Sequence, residues 1–206
     1  MNLIDHTWIF NGAIPKRICD LIIKEGNQKN LTIGETGYSI KRKNSPQVKK
    51  KKIYKKIRNS DICFFDETPW INRIIDPWIK EANKNAGWQF QIEKSEAFQF
   101  TKYGLNQHYH WHQDSFANPY PEDHKYPGLT RKLSTSIILS DKKQFKGGDL
   151  LFAYQTGFNK VHKLHMNNLE VGSIVVFPSF LWHKVTPVTR GKRYSLVGWY
   201  LGDKFK

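Results

Sequence analysis

The run 103–116 reads YGLNQHYHWHQDSF and holds side chains of the types that bind a metal ion. In an extended strand, residues i and i+2 face the same side. His112 and Asp114 can therefore point at one ion from one strand. Imidazole with carboxylate suits a borderline metal such as iron(II), and a second imidazole would complete a facial triad with three open positions. His183 is the best candidate, since it follows the strand-like run SIVVFPSFLWH, which can carry it back across a sandwich. His-x-Asp alone is a weak signal in a chain with eight histidines. Each histidine also fits a surface or hydrogen-bonded core position.

The stretch after His183, HKVTPVTRGKRYSLVGWY, strengthens the reading. Arg193 lies ten residues on, and Ser195 shares its face of the next β-rich run. A guanidinium fork grips a carboxylate through two parallel hydrogen bonds, a geometry lysine cannot copy. A dicarboxylate that chelates a metal at one end needs such an anchor at the other. Arg190 sits in the turn Thr189-Arg190-Gly191 and is expected to point to solvent. A surface salt bridge is the plain alternative for Arg193, but its neighbours Tyr194, Leu196, Val197 and Trp199 favour a less exposed place.

The block resembles the prolyl 4-hydroxylase-like branch of the 2-oxoglutarate oxygenases. It is most similar to the bacterial PKHD-type hydroxylases, which share an H-x-V-x-P-V-x-x-G-x-R tail. His183, Val185, Pro187, Val188, Gly191 and Arg193 fit that tail position by position. Tyr103, Gly104, Tyr109, His112 and Asp114 resemble the family's first-ligand motif. Arg131-Lys132-Leu133-Ser134 and Gly147-Gly148-Asp149-Leu150 resemble its intervening strand and Gly-Gly-acidic turn. The resemblance covers roughly residues 96–202. It implies a double-stranded β-helix (a jelly roll or cupin-like core) binding Fe(II), 2-oxoglutarate and O2, with ascorbate as reductant. It assigns the metal to His112, Asp114 and His183, and the far carboxylate of 2-oxoglutarate to Arg193, with Tyr103 and Ser195 assisting. Where some relatives carry a further tyrosine this chain has Ile138, and Ser134 or Ser136 is a candidate substitute. The implied reaction is hydroxylation of a C–H bond, of a prolyl or other side chain in a protein or peptide, with release of succinate and CO2. Hydroxylation or demethylation of nucleic acid, hydroxylation of a free amino acid, and a non-catalytic binding module are the alternatives.

The elements that must position these residues follow from periodicity. Residues 15–29 read as an amphipathic helix, with Ile18, Leu21, Ile22 and Glu25 at helical spacing and Pro15 near the start. Residues 69–86 read as a second helix, capped by Thr68, begun by Pro69 and ended at Gly87. Its predicted apolar stripe is Trp70, Ile74, Trp78 and Ala82, and Pro77 is expected to kink or split it. After Gly87 come short β-rich runs: WQFQIE, EAFQFTKY, LSTSIIL, DLLFAY, SIVVFP and YSLVGWYL. Two helices followed by many strands predict an α+β, mainly β fold with helices packed on a sandwich. The expected organisation is one domain over 1–206, with helices and a basic loop in 1–87 and the β core in 88–206.

Other residues near these elements admit two readings each. His108 and His110 share the parity of His112, so they either line a pocket mouth or are polar residues at a strand entrance. Trp111 and Trp182 are expected to be packed, and Trp199 either walls the pocket or fills the core. His162 and His165 have no third partner for a second metal site.

Composition bounds the partners. The chain carries 33 Lys and Arg against 18 Asp and Glu, a formal net charge of +15. The run 41–58, KRKNSPQVKKKKIYKKIR, holds ten of those cations and no acid, so it accounts for ten of the fifteen net charges. Such a block suits an acidic or nucleic-acid-associated protein partner, or nucleic acid itself. As a substrate lid or as a solvated loop it would look the same in sequence. Cys19 and Cys63 lie in apolar contexts and read as buried free thiols in a reducing, cytoplasmic setting. No run approaches the ~20 apolar residues of a membrane helix, and the first residues lack the pattern of a signal peptide.

Overall fold

A computed structural model of the protein describes residues 6–34, 55–66, 68–155, 161–166 and 169–204. Two antiparallel sheets face each other as a double-stranded β-helix. The strands of the larger sheet are β1 (Trp8–Phe10), β2 (Thr32–Ile33), β4 (Asp61–Phe65), β5 (Lys94–Ser95), β6 (Phe98–Tyr103), β8 (Leu129–Ile138), β12 (Ile174–Pro178) and β15 (Arg193–Asp203). Their order is β1-β12-β8-β15-β6-β4-β2, with β5 pairing β15. The smaller sheet contains β3 (Arg58–Asn59), β7 (His108–His112), β10 (Leu150–Gln155), β11 (Val161–Met166) and β13 (Trp182–Val185), in the order β11-β10-β13-β7-β3. A two-stranded ribbon joins β9 (Phe145–Gly147) to β14 (Val188–Gly191).

The period of two explains the layering. In β12, Ile174 and Val176 belong to the apolar cluster beneath the helices, whereas Val175 and Phe177 belong to the cluster between the sheets. In β15, Leu196 and Tyr200 join the helix-side cluster, while Arg193, Ser195, Val197 and Trp199 line the cavity. Strands buried on both faces read as continuous apolar runs, as IVVFP does.

Helices α1 (Lys16–Gln28) and α2 (Pro69–Asn85) cover the larger sheet. The buried stripe of α1 is Cys19, Ile22 and Gly26; Leu21, expected to be inside, is 40% exposed. A Cβ at Gly26 would lie 2.6 Å from the Phe100 ring, so glycine is what lets α1 approach β6. In α2 the fully buried residues are Ile71, Ile75, Ile79 and Ala82, and Trp70, Ile74 and Trp78 pack at the margin. The stripe is thus one residue out of register from the expected one at its first three positions and meets it at Ala82. Each buried isoleucine contributes about 1.5–3 kcal/mol of apolar transfer. Pro77 splits nothing: the helix runs through it.

Two further expectations change. WQFQIE forms no strand; Trp88 and Phe90 are buried as irregular chain, and pairing resumes at β5. The region before residue 87 also supplies more than helices, since β1 and β2–β4 extend both sheets. The basic run 41–58 lies largely outside the described residues, which resume at Lys55. Both cysteines are buried and free, and burial pushes the Cys19 thiol up to about 11. Among the described residues no helix is long and apolar enough to cross a membrane.

Candidate metal centre

Strand pairing builds the centre. His112 ends β7, and its direct cross-strand partner in β13 is His183. Asp114 is not in the strand, as the i, i+2 pattern supposed, but on the bend that follows it. There its N–H donates to the Ser179 carbonyl at 2.8 Å. Ser179 lies in the turn that passes the chain from β12 in one sheet to β13 in the other, and that turn also delivers His183. One turn therefore sets both Asp114 and His183 against His112.

The ligating atoms converge. His112 Nε2 is 3.7 Å from Asp114 Oδ1, and His183 Nε2 is 3.5 Å from Asp114 Oδ2. These three are the only cluster of at least three metal-ligating side chains among the described residues. Each imidazole is held through its other nitrogen: His112 Nδ1–H donates to the His110 carbonyl at 2.7 Å, and His183 Nδ1–H to the Leu181 carbonyl at 2.9 Å. That fixes the tautomer with the Nε2 lone pair toward the ion. Tyr109 stacks on His112 at 3.4 Å between ring centroids, and Phe177 meets His183 edge-on at 4.7 Å. Burial, reinforced by His183, holds the His112 pKa well below the ordinary value. Burial pushes Asp114 the other way, but the two imidazoles and Arg131 outweigh it and bring the carboxyl down to about 2. A neutral His112 imidazole and an ionised Asp114 carboxylate suit a divalent cation.

The triad opens on a cavity of about 650 Å³. Arg193 and Tyr103 lie in it as direct cross-strand partners on β15 and β6. Arg193 is 2% exposed and donates from Nη1 to Ser195 Oγ at 3.0 Å. Among the described residues it has no carboxylate within salt-bridge distance. A buried guanidinium without a salt-bridge partner is costly, so an anionic ligand would find a favourable place here. The Gly-Gly-Asp turn makes room for it. Gly148 has φ +61°, and a Cβ there would come within 2.8 Å of Arg193 Cδ. Ser136 lines the cavity, whereas the Ser134 hydroxyl is engaged with Ser179 at 2.9 Å and is not a substitute for the missing tyrosine. Ile138 sits opposite Ser195 in the register.

The remaining candidates separate cleanly. His108 has ring nitrogens 3.1 Å from the Asn106 and Lys56 carbonyls, His110 is exposed, and neither lines the cavity. Arg190 is exposed as expected, but Trp182 is 48% exposed rather than packed. His162 and His165 lie on β11. Trp199 lines the cavity. Sequence reasoning missed a further group of cavity-lining residues. There Arg131 makes two hydrogen bonds to Glu96, at 2.6 and 2.7 Å, and Tyr120 donates to the same carboxylate at 2.7 Å. Arg131 also lies 3.9 Å from the Trp199 ring centroid. No local pattern joins residues 96, 120 and 131, so only the fold reveals the group.

Residues 98–201 match a family model described as the 2OG-Fe(II) oxygenase superfamily. The chain belongs to the 2OG-Fe(II) oxygenase superfamily. A PKHD-type hydroxylase of Pseudoalteromonas atlantica is 32% identical to this oxygenase over 100 residues, which are 48% of this chain and 40% of that protein. The PKHD-type hydroxylase YbiX of Escherichia coli is also 32% identical over 100 residues, with the same coverage. The oxygenase thus matches about two fifths of the length of these curated relatives. Among solved structures, a Pseudomonas putida prolyl-4-hydroxylase superposes with a TM-score of 0.61 at 18% identity, over 98% of this chain and 95% of that one. A Trichoplax adhaerens prolyl hydroxylase, in complex with a hypoxia inducible factor peptide fragment, gives 0.65 at 18% identity, over 96% and 84%. At these identities the likeness concerns the fold.

The cradle around Arg193 makes one expectation specific. Gly148→Ala in the oxygenase forces both a left-handed backbone on alanine and a clash with Arg193. It should lower stability by about 1 kcal/mol or more and weaken 2-oxoglutarate binding while sparing Fe(II) binding. Titration of each ligand separately checks this; equal losses for both would point to general unfolding instead.

Proposed function

We propose that the protein is an Fe(II)- and 2-oxoglutarate-dependent dioxygenase that hydroxylates a prolyl or other side chain of a protein or peptide. Succinate and CO2 would be the co-products, and ascorbate the reductant. The observation that carries this reading is the pairing, in one cavity, of the three-ligand cluster with the buried, uncompensated Arg193. When bound, iron and 2-oxoglutarate supply the oxidising chemistry, and the protein supplies position and a dry site. His112, Asp114 and His183 hold the metal. Arg193 binds the far carboxylate, braced by Ser195 and accompanied by Tyr103. Phe177, Phe152 and Val185 exclude water behind the ligands.

A polypeptide substrate is supported by the mouth of the cavity. Ile33, Phe64 and Phe116 line it, and they are three of the seven exposed large apolar side chains among the described residues. A small polar amino acid has no use for such a rim. The peptide fragment bound to one structural neighbour agrees with this choice. The charge of the run 41–58 favours an acidic or nucleic-acid-associated partner. Thr32 and Ile33, which precede that run, and Arg58, its last residue, line the cavity.

The test is a screen of peptides, free amino acids and oligonucleotides. It should be read by succinate release and by gain of one oxygen atom in the substrate. Substrate-dependent succinate with an oxidised peptide is expected. Oxidation of oligonucleotides alone would replace the peptide reading with the nucleic-acid one.

A further inference from the structure

Among the described residues, one buried side-chain polar atom lacks a hydrogen-bond partner: Trp199 Nε1. Trp199 is 6% exposed and lines the metal cavity. Its ring cannot swing freely. The Arg131 guanidinium lies 3.9 Å from the ring centroid, and Arg131 is itself tied at two nitrogens to Glu96. Arg131 Nη1 also reaches the backbone carbonyl of Asp114 at 3.4 Å. On the next strand, Ser134 is the cross-strand partner of Trp199, and its hydroxyl meets that of Ser179, whose carbonyl holds the Asp114 N–H. Trp199 and Asp114 are therefore fixed to the same scaffold from two sides.

Asp114 has the complementary deficiency. It is 7% exposed, and among the described residues the partners within ion-pair distance of its carboxylate are the two imidazoles. Trp199 and Asp114 line the same cavity, and Arg131 touches both the indole ring and the Asp114 backbone carbonyl, while the indole N–H makes no hydrogen bond among the described residues. His112 and His183 each have an orienting backbone partner; Asp114 has none but this indole. A ligating carboxylate that gives one oxygen to a metal keeps the other free to accept a hydrogen bond, and such outer partners orient ligands.

We propose that Trp199 is a positioning residue for the metal centre: its Nε1–H donates to the non-ligating oxygen of Asp114 and sets that carboxylate for Fe(II). The inference rests on the reading of the triad as an iron site. It assigns the Arg131–Glu96–Tyr120 group a role as well, that of clamping the indole.

The experiment compares wild type with Trp199→Phe, which keeps an aromatic ring and removes the N–H. Fe(II) affinity is measured anaerobically at saturating 2-oxoglutarate, and apo-protein stability by thermal unfolding. The expected result is Fe(II) binding weakened about 10-fold or more, with no fall in apo Tm. Unchanged Fe(II) affinity overturns the proposal, whether Tm rises (an idle core N–H) or the KM for a peptide rises (a substrate donor). If Trp199→Phe does not fold, the indole proton is followed by NMR in wild type and Asp114→Ala as Zn(II) is added. A downfield shift confined to wild type supports the hydrogen bond, and no shift rejects it. Failure of wild type to bind Fe(II) would instead sink the reading of the site, and the proposal with it.

Discussion

Arg193→Met will sharply weaken 2-oxoglutarate binding and leave the apo protein as stable as before, or more so. The two halves of this result have one cause. The guanidinium is buried, and its hydrogen-bond partner is the neutral Ser195. Burial presses its pKa down, although Tyr103 and Asp149 work against that. Without an anion, the protein bears the desolvation of a charge, and methionine of similar length relieves it. With 2-oxoglutarate present, the same substitution strips a buried carboxylate of its partner. Such truncations cost about 2–5 kcal/mol, so affinity should fall between roughly 30-fold and several thousand-fold. Arg193→Lys should recover only part of the loss, because a single ammonium cannot match a planar fork. Calorimetric titration and thermal unfolding, run on the same preparations, separate the effects. A variant that binds 2-oxoglutarate normally would remove the carboxylate anchor from the proposal.

Asp114→Asn is expected to eliminate the charge-transfer absorbance that forms when Fe(II) and 2-oxoglutarate are combined without oxygen. The amide keeps the shape of the side chain but not its charge, and a divalent ion prefers the anionic oxygen. Loss of an orienting neighbour alone costs 10–100-fold in metal affinity, so loss of a direct ligand should exceed about 100-fold. The fold should survive, since the backbone bond from Asp114 to Ser179 does not depend on the carboxylate. The band is read by anaerobic titration in the visible range. If it persisted at wild-type Fe(II) concentrations, iron would not be held by this cluster.

Much of the centre was readable in the chain because its residues recur at short, regular intervals. His112 and Asp114 are two apart, and the spacing from His183 through Pro187 and Gly191 to Arg193 runs over the short successive strands β13 and β14 to the start of β15. A β-strand maps such intervals directly onto faces. Helix stripes were less exact. The Trp70-Ile74-Trp78 stripe of α2 gave way to Ile71-Ile75-Ile79, because a hydropathy pattern does not say which of two adjacent apolar rows fits under the sheet. Pro77 misled for a related reason: tertiary packing holds a helix that local propensity would break.

By itself, then, the sequence supplied the candidate ligands, the candidate carboxylate anchor and the mainly β class, since each was read from residue type and from spacing along the chain. Tertiary structure alone decided three things. It placed His112 directly opposite His183 across the β7–β13 pair. It used the turn at Ser179 to hold Asp114 outside the strand that names it. And it brought Glu96, Tyr120, Arg131 and Trp199 together as a wall of the cavity. Those contacts join residues many tens of positions apart. Which strands become neighbours is settled by burial over the whole sandwich, and no interval in the chain records it.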